Sequence, residues 1–220
     1  MNGGECPVTI PVGETRLSGD LCLPEGATGL VVFAHGSGSS RLSTRNRRVA
    51  AGLRQARLGT LLFDLLTSSE ESIDNITAEL RFNIPFLGER LVSVTDWLGT
   101  RTETRGLSLG YFGASTGAAA ALVAAAQRPE RVAAVVSRGG RPDLAAEYLG
   151  KMAAPTLLIV GGDDTEVIRL NEIAMEQLHV EKELAIVPGA THLFEEPGKL
   201  DEVQRLAGKW FVKYLTANPG

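Results

Sequence analysis

The stretch that decides the reading of this chain is Gly113-Ala114-Ser115-Thr116-Gly117, set between the apolar run Leu107 to Phe112 and the alanine-rich segment Ala118 to Ala126. A serine with glycine two residues away on each side, at a strand-to-helix junction, matches the nucleophile elbow pattern. Such a bend forces its central residue into a sparsely populated backbone conformation that costs about 1–3 kcal/mol. The flanking glycines have no side chain to collide there. The hydroxyl then stands above the sheet edge, and the N-terminus of the next helix offers unpaired N–H groups and a favourable dipole to a developing anion. Ser115 is the candidate nucleophile. A plain tight turn or a phosphate cradle has the same local composition, so the rest of the chain must decide.

Working outward, apolar runs and helical patterns alternate. Two β-like segments, Pro7 to Val12 and Arg16 to Leu23, open the chain and turn near Gly13-Glu14. Buried strands are expected at Leu30 to Ala34, Thr60 to Asp64, Leu107 to Phe112, Val132 to Ser137, Thr156 to Val160 and Leu184 to Val187. Between them lie helical segments near Asn46 to Arg57, from about Leu65 to Trp97, after Ser115, from Pro142, from Glu166 to Leu178, and from Pro197 to Leu215. This alternation implies a mainly parallel sheet with helices on both faces.

The length of 220 residues fits a single domain, 1–220, large enough to fold without metal or disulfides. A net charge of −4 argues against nucleic acid or an anionic membrane as partner. The one basic stretch, Arg41 to Arg57, places Val49, Leu53 and Ala56 on one helical face with Arg47 and Arg54 opposite, so most of its charge reads as a solvated face. Neither a secretory signal nor a membrane-spanning run is seen, so a cytoplasmic protein is expected. Cys6 and Cys22 are too few for a zinc site and would lie almost opposite each other in a hairpin, where a reducing compartment keeps them as thiols. No motif implies a metal or another cofactor.

In a parallel sheet the working residues collect beyond the carboxyl ends of the strands. Those positions hold His35-Gly36-Ser37-Gly38, Asp64, Ser115, Arg138-Gly139-Gly140-Arg141, Gly161-Gly162-Asp163-Asp164 and Ala190-Thr191-His192. A serine needs a base, and of three histidines only His192 comes late enough to complete the order serine, acid, histidine. His35 reads as structural and His179 as a surface or helix-end residue. The base needs a carboxylate to fix its tautomer. Asp163 and Asp164 both qualify. Asp164 is favoured, because two glycines and one more residue carry the chain clear of the strand, leaving Asp163 a turn or capping role; Asp143 is a weaker third. For the oxyanion, the backbone N–H of Thr116 and a donor at Ser37 are expected.

These loops together, over nearly the whole chain, resemble the α/β-hydrolase superfamily. The stretches His35 to Ala50, Phe63 to Thr67, Gly110 to Asp143 and His192 to Gly198 look most like dienelactone-hydrolase-like predicted hydrolases. The resemblance implies an eight-stranded, mostly parallel sheet with the second strand antiparallel, and Ser115, Asp164 and His192 as a triad. Dienelactone hydrolases proper carry cysteine at the elbow, where this chain has serine, so hydrolysis of a small carboxylic ester is the safer implication. No separate cap domain is expected, since only Gly139 to Ala154 parts the sixth and seventh strands.

The longer excursion, Leu65 to Ile84, should be broken by Pro85, with Leu66, Arg81, Phe82 and Phe86 walling the site. Arg138 and Arg141 are candidates to hold a substrate anion, against the alternative of pairing with nearby acids, and Arg81 and Arg138 are the substrate-binding candidates. Two other functions use the same sequence: a non-catalytic ligand-binding protein on this fold, and a nucleotide binder. The second lacks the further spaced glycine and the downstream acid that ribose binding needs.

Overall fold

The computed structural model describes residues 5–216. The hairpin β1 (Cys6–Val12) and β2 (Thr15–Cys22) leads into β3 (Gly29–Ala34), α1 (Thr44–Gln55), β4 (Leu58–Phe63), α2 (Ser68–Thr77) and α3 (Ile84–Thr100). The second half runs β5 (Ser108–Ala114), α4 (Thr116–Gln127) and β6 (Val132–Arg138). A 3₁₀ turn (Pro142–Ala145), α5 (Ala146–Leu149), β7 (Thr156–Gly161), α6 (Thr165–Gln177), β8 (Lys182–Val187) and α7 (Lys199–Leu215) complete it. The strands form one eight-stranded sheet in the order β1-β2-β4-β3-β5-β6-β7-β8. Only β2 runs against its neighbours; every pair from β4 to β8 is parallel. No cap domain interrupts the link from β6 to β7.

The two faces of the sheet sort their side chains by the two-residue period of a strand. Val31, Phe33, Phe112, Ala134 and Val136 pack toward α1 and α7. Leu30, Val32, Tyr111 and Val135 pack toward α3 and α4. Helix α4 is buried from Thr116 to Ala125, and its alanines let α3 come close. At Gly88 of α3 a Cβ would sit 2.7 Å from Val123 Cγ1, so the two helices touch where a larger residue would part them.

The elbow strand extends two residues beyond its expected end, to Ala114, which delivers the chain directly into Ser115. Pro85 does not sever a helix but lies in the first turn of α3, where its missing N–H would have had no partner. The break falls earlier, at Ala78 to Asn83, after α2 closes on Ala78 in a left-handed conformation (φ 56°). Cys6 pairs across the hairpin with Leu21, one position short of Cys22.

Candidate active site

Ser115 adopts φ 51° and ψ −120°, the strained bend expected of an elbow. Its N–H donates to the Arg138 carbonyl (3.2 Å), and its own carbonyl accepts from Ala118 (3.1 Å) and Arg141 (3.3 Å). Three bonds thus hold a conformation that costs about 1–3 kcal/mol. The flanking glycines are needed for closeness as well as for the bend. A Cβ at Gly113 would stand 2.3 Å from Ala118 Cα, and one at Gly117 would stand 2.3 Å from the His35 carbonyl oxygen.

The loops after β7 and β8 are tied together before they present their side chains. Gly162 N–H donates to the Val187 carbonyl (2.8 Å) and Asp163 N–H to that of Ala190 (3.0 Å). At Gly161 a Cβ would come within 2.3 Å of the Ala190 carbonyl oxygen, so glycine permits the approach. Glu196 Oε1 accepts from both the N–H (3.1 Å) and the hydroxyl (2.5 Å) of Thr191, and buried Phe194 anchors the same loop at φ 57°. The result is His192 Nδ1 at 2.6 Å from Asp164 Oδ2. Asp163 is exposed in the preceding turn, and it is Asp164 that occupies the N-cap position of α6, without a capping bond from its side chain.

Nδ1 of His192, donating to a carboxylate, leaves Nε2 unprotonated and able to take a proton. The imidazole lies over Gly139, where a Cβ would stand 3.4 Å from its Cε1 and Nδ1. Gly139 directly follows the residue whose carbonyl holds the Ser115 amide, and its φ of 51° suits glycine. Ser115 and His192 line one cleft of about 570 Å³, with Ser37, Arg138, Arg45 and Asn46 on its walls. A second hollow of about 460 Å³, walled by Leu65, Leu66, Asp74 and Arg81, lies across the Gly36-Ser37 ledge and reaches Thr116.

The two residues expected to receive an oxyanion are adjacent. Ser37 N–H donates to Thr116 Oγ1 at 3.0 Å, so that amide is given to a hydroxyl that keeps its own proton to donate. His35 is structural, as expected: Leu65 N–H donates to its Nε2 (3.0 Å), which puts the proton on Nδ1 facing the Gly36 carbonyl (3.0 Å). Burial pushes its pKa below the ordinary 6.5, partly offset by that bond to Gly36. His179 is exposed beyond α6.

The three candidate arginines separate. Arg141 is held by both oxygens of Asp143 (2.8 and 2.7 Å). Arg81 lines the second hollow, but its Nε is bound to Asp74 Oδ2 (2.6 Å) and its Nη2 to the Asp74 carbonyl (2.8 Å) and Asn75 Oδ1 (3.1 Å). Those bonds tie the guanidinium to the turn between α2 and α3 while it still walls the hollow. Arg138 is 7% exposed, and its Nε and Nη1 are buried with no hydrogen-bond partner. Of the apolar residues expected to wall the site, Leu66 does so, whereas Phe82 is 56% exposed and Phe86 packs on Arg90. Sequence reasoning missed Arg45 and Asn46, because the basic stretch reads as a solvated face. The available signal was position: α1 starts at the carboxyl edge of β3, so its first turn borders the site.

Among the described residues no group of three or more His, Cys, Asp or Glu side chains is placed to hold a metal ion, and no helix is long and apolar enough to cross a membrane.

Comparison with known proteins agrees with this architecture. A dienelactone hydrolase from Anabaena variabilis is 60% identical, with a TM-score of 0.96 over 98% of this chain and 100% of that one. Est1E from Butyrivibrio proteoclasticus shares the fold at 14% identity, with a TM-score of 0.79 over 94% of this chain and 98% of that one. A Mycobacterium tuberculosis protein named "Putative phosphoribosyl transferase" is 54% identical over 97% of this chain, which spans only 47% of that protein's length. The sequence profile of the dienelactone hydrolase family matches residues 58–212. The chain therefore has the α/β-hydrolase fold and belongs to the dienelactone hydrolase family.

Proposed function

We propose that this protein is a serine hydrolase that cleaves a small carboxylic ester through a covalent acyl-enzyme. The observation that carries the reading is the 2.6 Å contact between His192 and Asp164 in the cleft where strained Ser115 lies. In this mechanism His192 Nε2 takes the Ser115 hydroxyl proton as Oγ bonds to the ester carbonyl carbon. The carbonyl π pair moves to oxygen, where the Thr116 N–H and the Ser37–Thr116 pair receive the charge. Collapse expels the alkoxide, which leaves with the proton from His192, and water repeats the sequence to release the acid. Asp164 keeps the imidazole oriented and stabilises its cationic form. No cofactor enters any step.

Substrates related by the same acyl chemistry, thioesters and lactones, belong on the same panel. A dienelactone is included because the Anabaena relative carries that name, although here the elbow residue is serine.

The test is a panel of short and long nitrophenyl esters, a thioester and a dienelactone on the wild type beside Ser115→Ala. Labelling with a fluorophosphonate probe runs in parallel. Turnover and labelling of the wild type alone are expected, with short acyl chains preferred. Full turnover by Ser115→Ala overturns Ser115 as the nucleophile, and a wild type that neither turns over the esters nor takes the label overturns the reading in favour of a ligand-binding protein.

A further inference from the structure

Among the described residues, one positive charge in the cleft that Ser115 shares with His192 has no acid paired with it. Arg138 ends β6 and gives its carbonyl to the Ser115 amide. Its side chain follows Ala134 and Val136 onto the face covered by α1, where it is nine-tenths buried with Nε and Nη1 unpartnered. A buried guanidinium is normally answered by a carboxylate or by carbonyls, because water no longer solvates it.

The neighbouring charge that acts on Arg138 is another cation, Arg45. Together burial and Arg45 push its pKa down to about 10, so it remains charged at neutral pH. Arg45 reaches outward to Glu195 through Nη1 (2.6 Å), while its Nε is buried without a partner. The Asn46 amide oxygen on the same wall is also unpartnered. Elsewhere along this edge the arginines are answered: Arg41 by Asp64, Arg81 by Asp74 and Arg141 by Asp143.

We propose that Arg138, assisted by Arg45 and Asn46, is the subsite for an ionised group on the alcohol half of the substrate. The substrate is then an ester whose leaving alcohol carries a carboxylate or a phosphate. The assignment to that half rests on the serine-hydrolase reading. Arg138 shares its cleft with His192, which protonates the departing oxygen, whereas the hollow across the Gly36-Ser37 ledge is walled by Leu65 and Leu66 and suits the acyl group. Hydrolysis of the acyl-oxygen bond releases the acid and an anionic alcohol. Asn46 is placed to accept from a hydroxyl of that product.

The test compares three acetyl esters with one acyl group: phenyl acetate, 3-acetoxybenzoate and 3-acetoxyphenyl phosphate. The wild type is expected to favour at least one charged ester over phenyl acetate by about tenfold or more in kcat/KM, the scale of a hydrogen bond to a charged group. The favoured ester tells carboxylate from phosphate. In Arg138→Gln the ratio should fall toward one, with KM for the charged ester carrying most of the change. Arg45→Gln should shift it the same way by less, and serves if Arg138→Gln does not fold. Equal use of all three esters, or a preference that survives both substitutions, overturns the subsite.

A second measurement is independent of turnover. On Ser115→Ala, 3-hydroxybenzoate or inorganic phosphate should raise the thermal midpoint, and this rise should vanish when Arg138→Gln is added. No rise with either means that the cleft holds water alone and the proposal falls. A wild type that neither turns over the esters nor takes the fluorophosphonate label sinks the hydrolase reading, while this binding arm still judges the anion site.

Discussion

Nδ1 of His192 lies 2.6 Å from Oδ2 of Asp164, a contact that joins the loops after the two last strands of the sheet. It separates two adjacent aspartates by role. Asp164→Asn preserves the shape but offers the imidazole a group that can present N–H instead of accepting one, so the wrong tautomer is favoured. A loss in kcat of about 10⁴-fold is expected, as for such a change in other serine triads. Asp163→Asn, at an exposed turn, should stay within about twofold of wild type, as surface changes usually do. Steady-state kinetics on the two variants decide the matter; a crippled Asp163→Asn beside a healthy Asp164→Asn removes the assignment.

The φ of 51° at Ser115 sets activity against stability. Glycine at this position relieves a strain of about 1–3 kcal/mol but adds freedom to the unfolded chain worth about 0.4–1 kcal/mol. Ser115→Gly should therefore be inactive and more stable than wild type by about 1 kcal/mol, the difference between those two effects. Ser115→Ala keeps the bend and should gain little. Urea unfolding of the three proteins reads the difference, and a Ser115→Gly protein no more stable than Ser115→Ala means the bend is not strained.

The elbow was legible because its chemistry is local. Gly113 and Gly117 are dictated by contacts with their own strand and helix and with the His35 loop, and those needs leave a pattern in consecutive residues. The succession of strands along the chain and the place of His192 in the loop after the last of them were legible for a similar reason, since turn glycines and apolar periods mark each crossover. What stayed hidden depends on pairing across the fold. Arg81 and Arg138 look alike as letters, yet Asp74 lies seven residues from the first and, among the described residues, no acid answers the second. The roles of Asp163 and Asp164 differ only by the direction in which one turn sends each side chain. Arg45 was hidden by periodicity, because the start of a basic helix carries the same signal whether it meets solvent or a cleft.

His35 ties the loop after β3 to the chain after β4, and its neutral form is the one that fits. Leu65 N–H donates to Nε2, which a protonated ring cannot accept. Burial holds the folded pKa below the ordinary 6.5, so between the two values the unfolded chain binds a proton that the folded one refuses. The contribution is complete above 6.5 and is lost as pH falls from there toward the folded value. The thermal midpoint of wild type should drop over that window, ahead of the carboxylates, whose protonation lies near pH 4 and below. His35→Gln keeps an acceptor for Leu65 but does not titrate, so it should start less stable and lose less between pH 7 and pH 5. Parallel slopes for the two proteins over that range would remove His35 as the source.

Asp74 closes the turn between α2 and α3 with one carboxylate. Its Oδ1 accepts from the N–H of Leu80 (2.7 Å) and Arg81 (3.1 Å), and its Oδ2 from Arg81 Nε. Burial alone would raise this carboxyl, yet the bonds from Arg81 and Leu80 outweigh it and hold the pKa below the ordinary 3.8. Removing one partner of a buried pair costs about 3–5 kcal/mol, but the Arg81 side chain is 22% exposed, so solvent screens part of the loss. Asp74→Asn should therefore destabilise by about 2 kcal/mol, between the buried and the surface limits. Arg81→Gln should cost less than that, because the two backbone amides still satisfy the carboxylate. The double variant should cost less than the sum of the singles, since each single already breaks the shared pair. Because Arg81 walls the hollow beside Thr116, both singles should raise KM more than they lower kcat. Urea unfolding and ester kinetics on the four proteins of this cycle supply both readings, and strict additivity would show that Asp74 and Arg81 act separately.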